Sequence, residues 1–510
     1  MENHELTRFG NFKLPFRLIP AIISFATFVI ILLIPHPESL TSKAWLMLAI
    51  FVASIVAIIT KTSSVGVVSV IGMCLVAVLR ASTPVKGPDG ELVSVGVKEA
   101  IQATLASFSN DLIWLIVIAV ILSRGIIKTH LGERIGYFFI TLFGKRSLGI
   151  GYALAFCETI LAPLTPSNTA RGGAIIHPIM KSIALAFGSD PETKTENKIG
   201  KYLALVNYHA NPISSAMFVT ATAPNPLALE YINQVAGTSF HLTWGTWALS
   251  LFLPAFVAMM LMPLVLYKIF PPEIKVTPDA QKFAKSKMHD LGPISLNEKI
   301  MISIFILLLL LWADVPGMLF GSMFSFNPTT VALIGLTLLI LTGILTWDEI
   351  LAQKSAWDTL IWFGALVMMA GELNKHGVIS WFSDSFQSWL ITMHLNSLAV
   401  FFILVLVFLY SHYFFASTTA HVSAMFLAFL MVGVKVVEPA LLIPFYLMMA
   451  GASTLMMSLT HYATGTSPII FGSGFVSMGE WWKAGFIMSV VNMIVFTVVG
   501  FLWWKVLGYY

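Results

Sequence analysis

Apolar positions along this chain come in long runs rather than in stripes. Residues 18–34 ("LIPAIISFATFVIILLI"), 248–266 ("ALSLFLPAFVAMMLMPLVL") and 484–504 ("AGFIMSVVNMIVFTVVGFLWW") contain no charged residue. Each reaches the roughly 17–25 residues with which an α-helix crosses a bilayer. The pattern predicts crossings at about 16–34, 44–60, 65–80, 109–125, 245–269, 299–313, 329–346, 357–372 and 483–505. Four further apolar segments are interrupted by polar residues. They are 148–187 at "TPSNTARGG" (165–173), 200–236 at "TATAPNP" (220–226), 396–434 at "FASTTAHVS" (415–423) and 439–475 at "ATGTSPI" (463–469). An outer-membrane barrel would show ~10-residue alternating segments instead. The expected fold is an all-α polytopic membrane protein, with about 11 transmembrane helices plus two re-entrant helical hairpins.

The order of these landmarks repeats. "DLIWLIVIAVILSRGIIKTHL" (111–131) resembles "DTLIWFGALVMMAGELNKHGV" (358–378), with Trp114 matching Trp362. In each half, a segment broken by small polar residues follows, and then a second broken segment. Three landmarks in one order point to an internal duplication. The expected organisation has first-repeat scaffold helices and an interfacial arm at 1–147, and a first-repeat transport part at 148–269. A cytoplasmic linker, read as solvated, covers 270–299. Second-repeat scaffold helices and arm follow at 300–395, and the second transport part is 396–510.

Charge sets the orientation. Only 11% of the 510 residues are charged against 57% hydrophobic, where an ordinary soluble protein carries about 25% charged residues. Mean hydropathy is +0.85. With the N-terminus in the cytoplasm, segments 1–17, 61, 128–146, 181–201, 268–299, 354 and 483 face inside, and they hold 20 of the 29 Lys and Arg. Cytoplasmic loops collect such residues. The count requires both interrupted segments, 148–187 and 396–434, to enter and leave on one side, so the two repeats are expected to be inverted. The C-terminus then lies outside, and the expected location is a bacterial plasma membrane. The first apolar run is too long for a cleavable leader. Cys74 and Cys157 both lie in apolar runs and imply no disulfide framework.

Broken helices at membrane depth are tolerated only inside protein or beside a watery cavity. Paired breaks in inverted repeats point to a midplane substrate site. Each break starts a new half-helix, whose N-terminal N–H groups favour an anion. Ser167, Asn168, Thr169, Ser417, Thr418 and Thr419 supply short polar side chains of the kind that cap such ends, and Thr222 and Thr464 lie in the second breaks. A charge in lipid is costly and usually functional. Arg171 is four residues after Ser167, as His421 is four after Ser417. Arg171 reads either as a charge of the site or as a structural ion pair, with Glu158 as partner. His421 reads as a second site charge or a hydrogen-bonded core histidine. His461 is a weaker candidate. His177, His209, His412, Glu372, Asp111 and Asp358 read as network groups. No H-E-x-x-H or other metal-ligand spacing occurs, and "FGSGF" (471–475) lacks the context of a nucleotide loop. No cofactor, no nucleic-acid partner and no enzymatic nucleophile–base pair is expected.

These motifs carry a resemblance. "PLTPSNTARGGAI", "FASTTAH" and "HYATGTSPIIFGSG" (461–474) are similar to the signatures of the divalent anion:sodium symporter family, and more closely to its dicarboxylate exchanger branch. The likeness runs from about residue 14 to the end. It implies a homodimer in the lipid bilayer, with a transport domain that slides as an elevator against a scaffold. It implies substrate contacts at Ser167, Asn168, Thr169, Ser417, Thr418, Thr419 and Thr464. The symporters have a second Ser-Asn-Thr; here the position reads Ser417-Thr418-Thr419, which puts the second sodium site in doubt. The resulting expectation is sodium-independent antiport of C4–C5 dicarboxylates, with Arg171 and His421 taking over the charge compensation that sodium gives a symporter. Sodium-coupled symport is the alternative.

Overall fold

A computed structural model of the chain describes residues 16–83, 95–392 and 396–510, together with backbone pairing of Arg8–Phe9 with Phe12–Lys13 and of Val85–Lys86 with Leu92–Val93. Almost everything else in regular structure is helical. Among the described residues, eight helices are long and apolar enough to cross a bilayer. A ninth span results if Val97–Ser109 and Asp111–Lys128, bent by 49° at Asn110, count as one. Leu18–Leu33, Val65–Val78 and Pro328–Leu341 are shorter apolar helices. The chain is thus an all-helical, multi-pass protein.

Helix starts follow local chemistry. Ser295, Thr346 and Ser477 each accept from the backbone N–H three residues on, while Glu298, Glu349 and Glu480 reach back to the cap. This reciprocal box satisfies two orphan donors at once. Thr41, Ser64 and Asn396 cap their helices in the simpler, one-way fashion.

All four interrupted segments break where the polar residues fall. The first runs as helix Ser147–Leu161, a tight turn Ala162–Leu164, an extended stretch, a π-helical turn Ala170–Ile176 and helix His177–Ala186. The third repeats this plan with Ser397–Ser411, His412–Phe414, Thr418–His421, a π-helical turn Val422–Phe426 and Leu427–Val436. The second and fourth consist of Gly200–Met217 followed by Pro224–Ala236, and Leu442–Leu455 followed by Thr466–Phe471.

Gly200–Met217 is the most enclosed helix. Every residue in it except Lys201 is buried, including Asn207, His209, Asn211, Ser214 and Ser215. It packs on Ser147–Leu161 and Trp244–Ile269, and Trp247 Nε1 donates to the Ala216 carbonyl at 3.0 Å. Lipid tails are as apolar as leucine, so close packing rather than water exclusion drives such contacts, and small residues let helices approach. Leu442–Leu455 uses Ala450, Gly451, Ala452 and Ser453 in this way. A Cβ on Gly451 would meet Phe496 at 2.7 Å.

Apolar packing divides into two clusters. The larger gathers the four broken segments with Asp111–Lys128 and Trp244–Ile269. The smaller joins Ser42–Ile59, Val65–Val78 and one face of Lys354–Lys375, with Ala420 from the third broken segment against it. Lys354–Lys375 contributes to both clusters, through Phe363 and Ala370 to the larger and Leu366 and Met369 to the smaller.

Part of the polar linker is ordered. Pro278–Asp290 is a helix with Ala280 and Ala284 buried, and it packs on Leu131–Phe143. Gln281 Nε2 donates to the Thr141 carbonyl at 2.6 Å. Two alanines one turn apart make a contact stripe too narrow to register in hydropathy, which explains why the sequence reads as solvated there.

Candidate functional site

The four breaks meet. A cavity of about 350 Å³ is lined by Ser167, Asn168 and Thr169, by Thr222, by Ser417, Thr418 and Thr419, and by Thr464, all eight of them sites expected from the sequence. The remaining wall includes Ser355 and Thr359 on one face of Lys354–Lys375, and Val120 on Asp111–Lys128. The lining contains no charged side chain.

Both hairpin tips are built alike. Ser167 Oγ accepts from the Ala170 N–H at 3.1 Å, and the Arg171 N–H bonds the Ser167 carbonyl at 3.0 Å. Ser417 Oγ accepts from the Ala420 N–H at 3.3 Å, and the His421 N–H bonds the Ser417 carbonyl at 3.1 Å. The second breaks also match. The Asn225 N–H bonds the Thr222 carbonyl at 3.2 Å, and the Ser467 N–H bonds the Thr464 carbonyl at 3.1 Å. Four helical segments therefore begin at the cavity wall; the two at the hairpin tips present first-turn N–H groups that lack intrahelical partners, whereas Pro224, Pro226 and Pro468 leave the other two with fewer donors.

Cross-links fix the tips against one another. Asn168 Nδ2 donates to Thr464 Oγ1 at 2.8 Å and to Asn211 Oδ1 at 3.2 Å. Asn211 Nδ2 returns a bond to the Asn168 carbonyl at 3.0 Å. Thr418 Oγ1 donates to the Ala463 carbonyl at 3.3 Å. The approach is close enough to exclude a Cβ at two glycines. At Gly465 it would lie 2.5 Å from Thr169 Oγ1, and at Gly172 it would lie 2.8 Å from Asn211 Nδ2 and 3.0 Å from Glu158 Oε1.

Arg171 and His421 are not brought to the cavity. Arg171 is fully buried behind the first tip, where its Nε donates to Glu158 Oε2 at 2.5 Å. Its Nη1 donates to the carbonyls of Thr165 and Ala221 at 2.7 and 2.8 Å, and its Nη2 to Ser214 and Ser215 at 3.2 and 2.9 Å. All five guanidinium donors are used. Of the two readings of Arg171, this geometry matches the structural ion pair with Glu158. Its charge is cancelled locally, and its work is to satisfy the carbonyls that end the helical turns before Ser167 and Thr222.

The second half meets the same need differently. His421 is buried between Phe408 and Phe415, with ring centroids 4.6 and 4.3 Å away. Its Nδ1 faces His412 Nδ1 at 3.0 Å, its Nε2 lies 3.0 Å from Ser411 Oγ, and His412 Nε2 donates to the Ala463 carbonyl at 2.9 Å. Arg171 thus holds the carbonyl just before Thr222, and His412, backed by His421, holds the one just before Thr464. His461 lies away from the cavity and accepts from Trp482 Nε1 at 3.2 Å.

Sequence reasoning missed Ser355 and Thr359, one helical turn apart on a span that otherwise reads as scaffold. It also missed Asn211, Ser214 and Ser215. Their signal was present as a polar run in an otherwise apolar chain. Of the residues read as network groups, Glu372 accepts from Thr83 Oγ1 at 2.8 Å and Asp111 from Asn327 Nδ2 at 2.7 Å, whereas both ring nitrogens of buried His209 and Nδ1 of His177 have no partner among the described residues.

Comparison with known proteins places this arrangement. Residues 16–510 match the family described as the sodium:sulfate symporter transmembrane region. YflS of Bacillus subtilis (strain 168), named after malate transport, is 46% identical over 96% of this chain and 97% of its own. Dicarboxylate transporter 1, chloroplastic, of Spinacia oleracea is 41% identical over 96% of this chain and 81% of its own. A crystal structure titled for the YdaH transporter of Alcanivorax borkumensis, described as having an unusual topology, superposes with a TM-score of 0.54 at 10% identity. It covers 86% of this chain and 96% of that one, a likeness of fold.

Proposed function

The chain belongs to the sodium:sulfate symporter transmembrane family of transporters, and from that premise we propose that it is a sodium-independent antiporter of C4–C5 dicarboxylates such as succinate, malate, fumarate or 2-oxoglutarate. It is a dicarboxylate transporter of the membrane; the exchange mode, the sodium independence and the mechanism are the proposal. The carrying observation is the uncharged cavity at which four helical segments start.

Each hairpin-tip helix start presents roughly half a positive charge, and the starts after Thr222 and Thr464 add to the same positive potential. A dianion cancels this; an empty cavity leaves it uncompensated. In a low-dielectric slab that is expensive, so the loaded carrier moves and the empty one stays. Obligatory exchange follows from that difference. The Ser-Thr-Thr at 417–419 favours hydroxyl contact with the substrate over a cage for a second sodium ion. Arg171 and His421 then act by holding the helix starts in register, at one remove from the substrate.

In this reading the broken segments move as an elevator against the helices of the smaller apolar cluster, the two repeats are inverted, and the protein is a plasma-membrane homodimer with a cytoplasmic N-terminus. Succinate counterflow into proteoliposomes loaded with malate tests the proposal. Equal rates in sodium and in choline support it, with no uptake into unloaded vesicles. Uptake that vanishes in choline, or that proceeds without internal substrate, overturns it in favour of symport.

A further inference from the structure

The central cavity has two kinds of wall. Its lining comes from the four breaks with three exceptions: Val120 on Asp111–Lys128, and Ser355 and Thr359 on Lys354–Lys375. Those two helices run unbroken past the cavity and pack on each other. Phe363 and Ala370 hold Lys354–Lys375 to the larger apolar cluster, and Leu366 and Met369 hold it to the smaller. Ser355 and Thr359, one turn apart, therefore form a polar ledge on a helix clamped from both sides.

Hydrogen bonding gives that ledge a polarity. Thr359 is buried, and its Oγ1 donates to the Ser355 carbonyl at 2.7 Å. A helical side chain leans over the turn before its own Cα, so this bond runs along the face that both residues turn to the cavity. A hydroxyl has one proton and two lone pairs. With the proton committed to Ser355, Thr359 meets the cavity as an acceptor. Thr104, Thr129 and Thr342 make the same bond to the preceding turn, a common arrangement for threonine in helices, but none of them lines the cavity.

The hairpin tips offer the opposite chemistry. Their first-turn N–H groups are donors and suit carboxylate oxygens. A carboxylate only accepts, so it gains nothing at Thr359. With the carboxylates at the helix starts, the carbon chain between them is the part left to face Thr359 and Val120. Val120 suits a methylene group. Thr359 Oγ1 suits a hydroxyl proton, which would be costly to bury without a partner.

We propose that Thr359 is a specificity-determining residue that accepts a hydrogen bond from a hydroxyl on the carbon chain of the substrate, and so favours a 2-hydroxy dicarboxylate such as malate over unsubstituted succinate of the same length. The inference rests on the proposed dicarboxylate exchange. Ser355 acts through its carbonyl, which holds the Thr359 proton and keeps the lone pairs turned to the substrate. A site built to pair a substrate hydroxyl discriminates against the analogue that lacks it, because the site's own polar group is then left unpaired.

The test measures malate and succinate affinities of the full-length protein in detergent by calorimetry, for wild type, Thr359→Val and Thr359→Ser. Wild type should bind malate more tightly than succinate. Thr359→Val keeps the shape and removes the acceptor, so the malate-to-succinate affinity ratio should fall about 5- to 10-fold. Thr359→Ser keeps the hydroxyl and its bond to the preceding turn, and should hold the ratio within about two-fold of wild type. Thr359→Ala, read in the same way, serves if Thr359→Val does not fold. Four results overturn the inference: a wild-type ratio near one, a ratio unchanged without the hydroxyl, an equal loss of affinity for both acids, which makes Thr359 a packing residue, or a ratio lost as fully in Thr359→Ser, which assigns the preference to the methyl group. Wild-type protein that binds neither acid would instead remove the dicarboxylate reading beneath it.

Discussion

The side-chain amide of Asn168 donates to Thr464 Oγ1 at 2.8 Å, joining residues 296 positions apart in the chain. The bond ties the first hairpin tip to the last break directly beside the cavity. Without it the tip and the break are held by Asn211 and by packing.

Asn168→Ala removes this link and the bond to Asn211 Oδ1. A net hydrogen bond is worth about 0.5–1.5 kcal/mol, so succinate affinity measured by calorimetry should fall about 5- to 10-fold while the protein stays folded. An unaltered dissociation constant would show that the link does not organise the cavity.

Breaking the Arg171–Glu158 pair leaves an uncompensated charge in the interior. Such losses cost about 3–5 kcal/mol, so Arg171→Gln and Glu158→Gln should each lower the unfolding temperature in detergent strongly. Arg171→Lys keeps the charge but cannot reach both the Thr165 and Ala221 carbonyls and both serines. It should fold and bind succinate poorly. Full transport by Arg171→Lys would mean that the charge matters and the fork does not.

Gly465→Ala would set a methyl group 2.5 Å from Thr169 Oγ1. Overpacking of this kind costs about 1–3 kcal/mol. Exchange should drop about 10-fold or more, and Thr169→Ala should restore part of it in the double variant. Counterflow assays on the four proteins check this; additive losses would contradict it.

In the second half, His412→Ala leaves the Ala463 carbonyl with only the 3.3 Å bond from Thr418 Oγ1, a loss of about 0.5–1.5 kcal/mol. Succinate affinity should fall about 3- to 10-fold, with His412→Gln milder because its amide can donate in the same direction. Wild-type affinity in His412→Ala would remove the parallel with Arg171.

Residue order alone determined that this chain is helical and crosses a membrane many times. Charge-free runs of such length have no other way to satisfy their backbone in lipid. It also determined where the helices break, because the short polar residues at 167–169, 222, 417–419 and 464 interrupt the apolar runs, and Ser167 and Ser417 cap the half-helices that follow. Eight of the residues that line the cavity were legible because a polar break in an apolar run is local, read within a turn of the chain.

The rest depended on packing between distant segments. Sequence left Arg171 open between a site charge and an ion pair with Glu158, since spacing gives no direction for a long side chain. Tertiary structure turned the guanidinium away from the cavity, where two broken turns present bare carbonyls to its five donors. His421 was likewise turned toward His412, which sequence treats as a network residue. Ser355 and Thr359 entered the wall only because Lys354–Lys375 packs across both apolar clusters. Which face of an all-apolar helix meets a cavity is decided by its neighbours, and no periodicity within the helix encodes it.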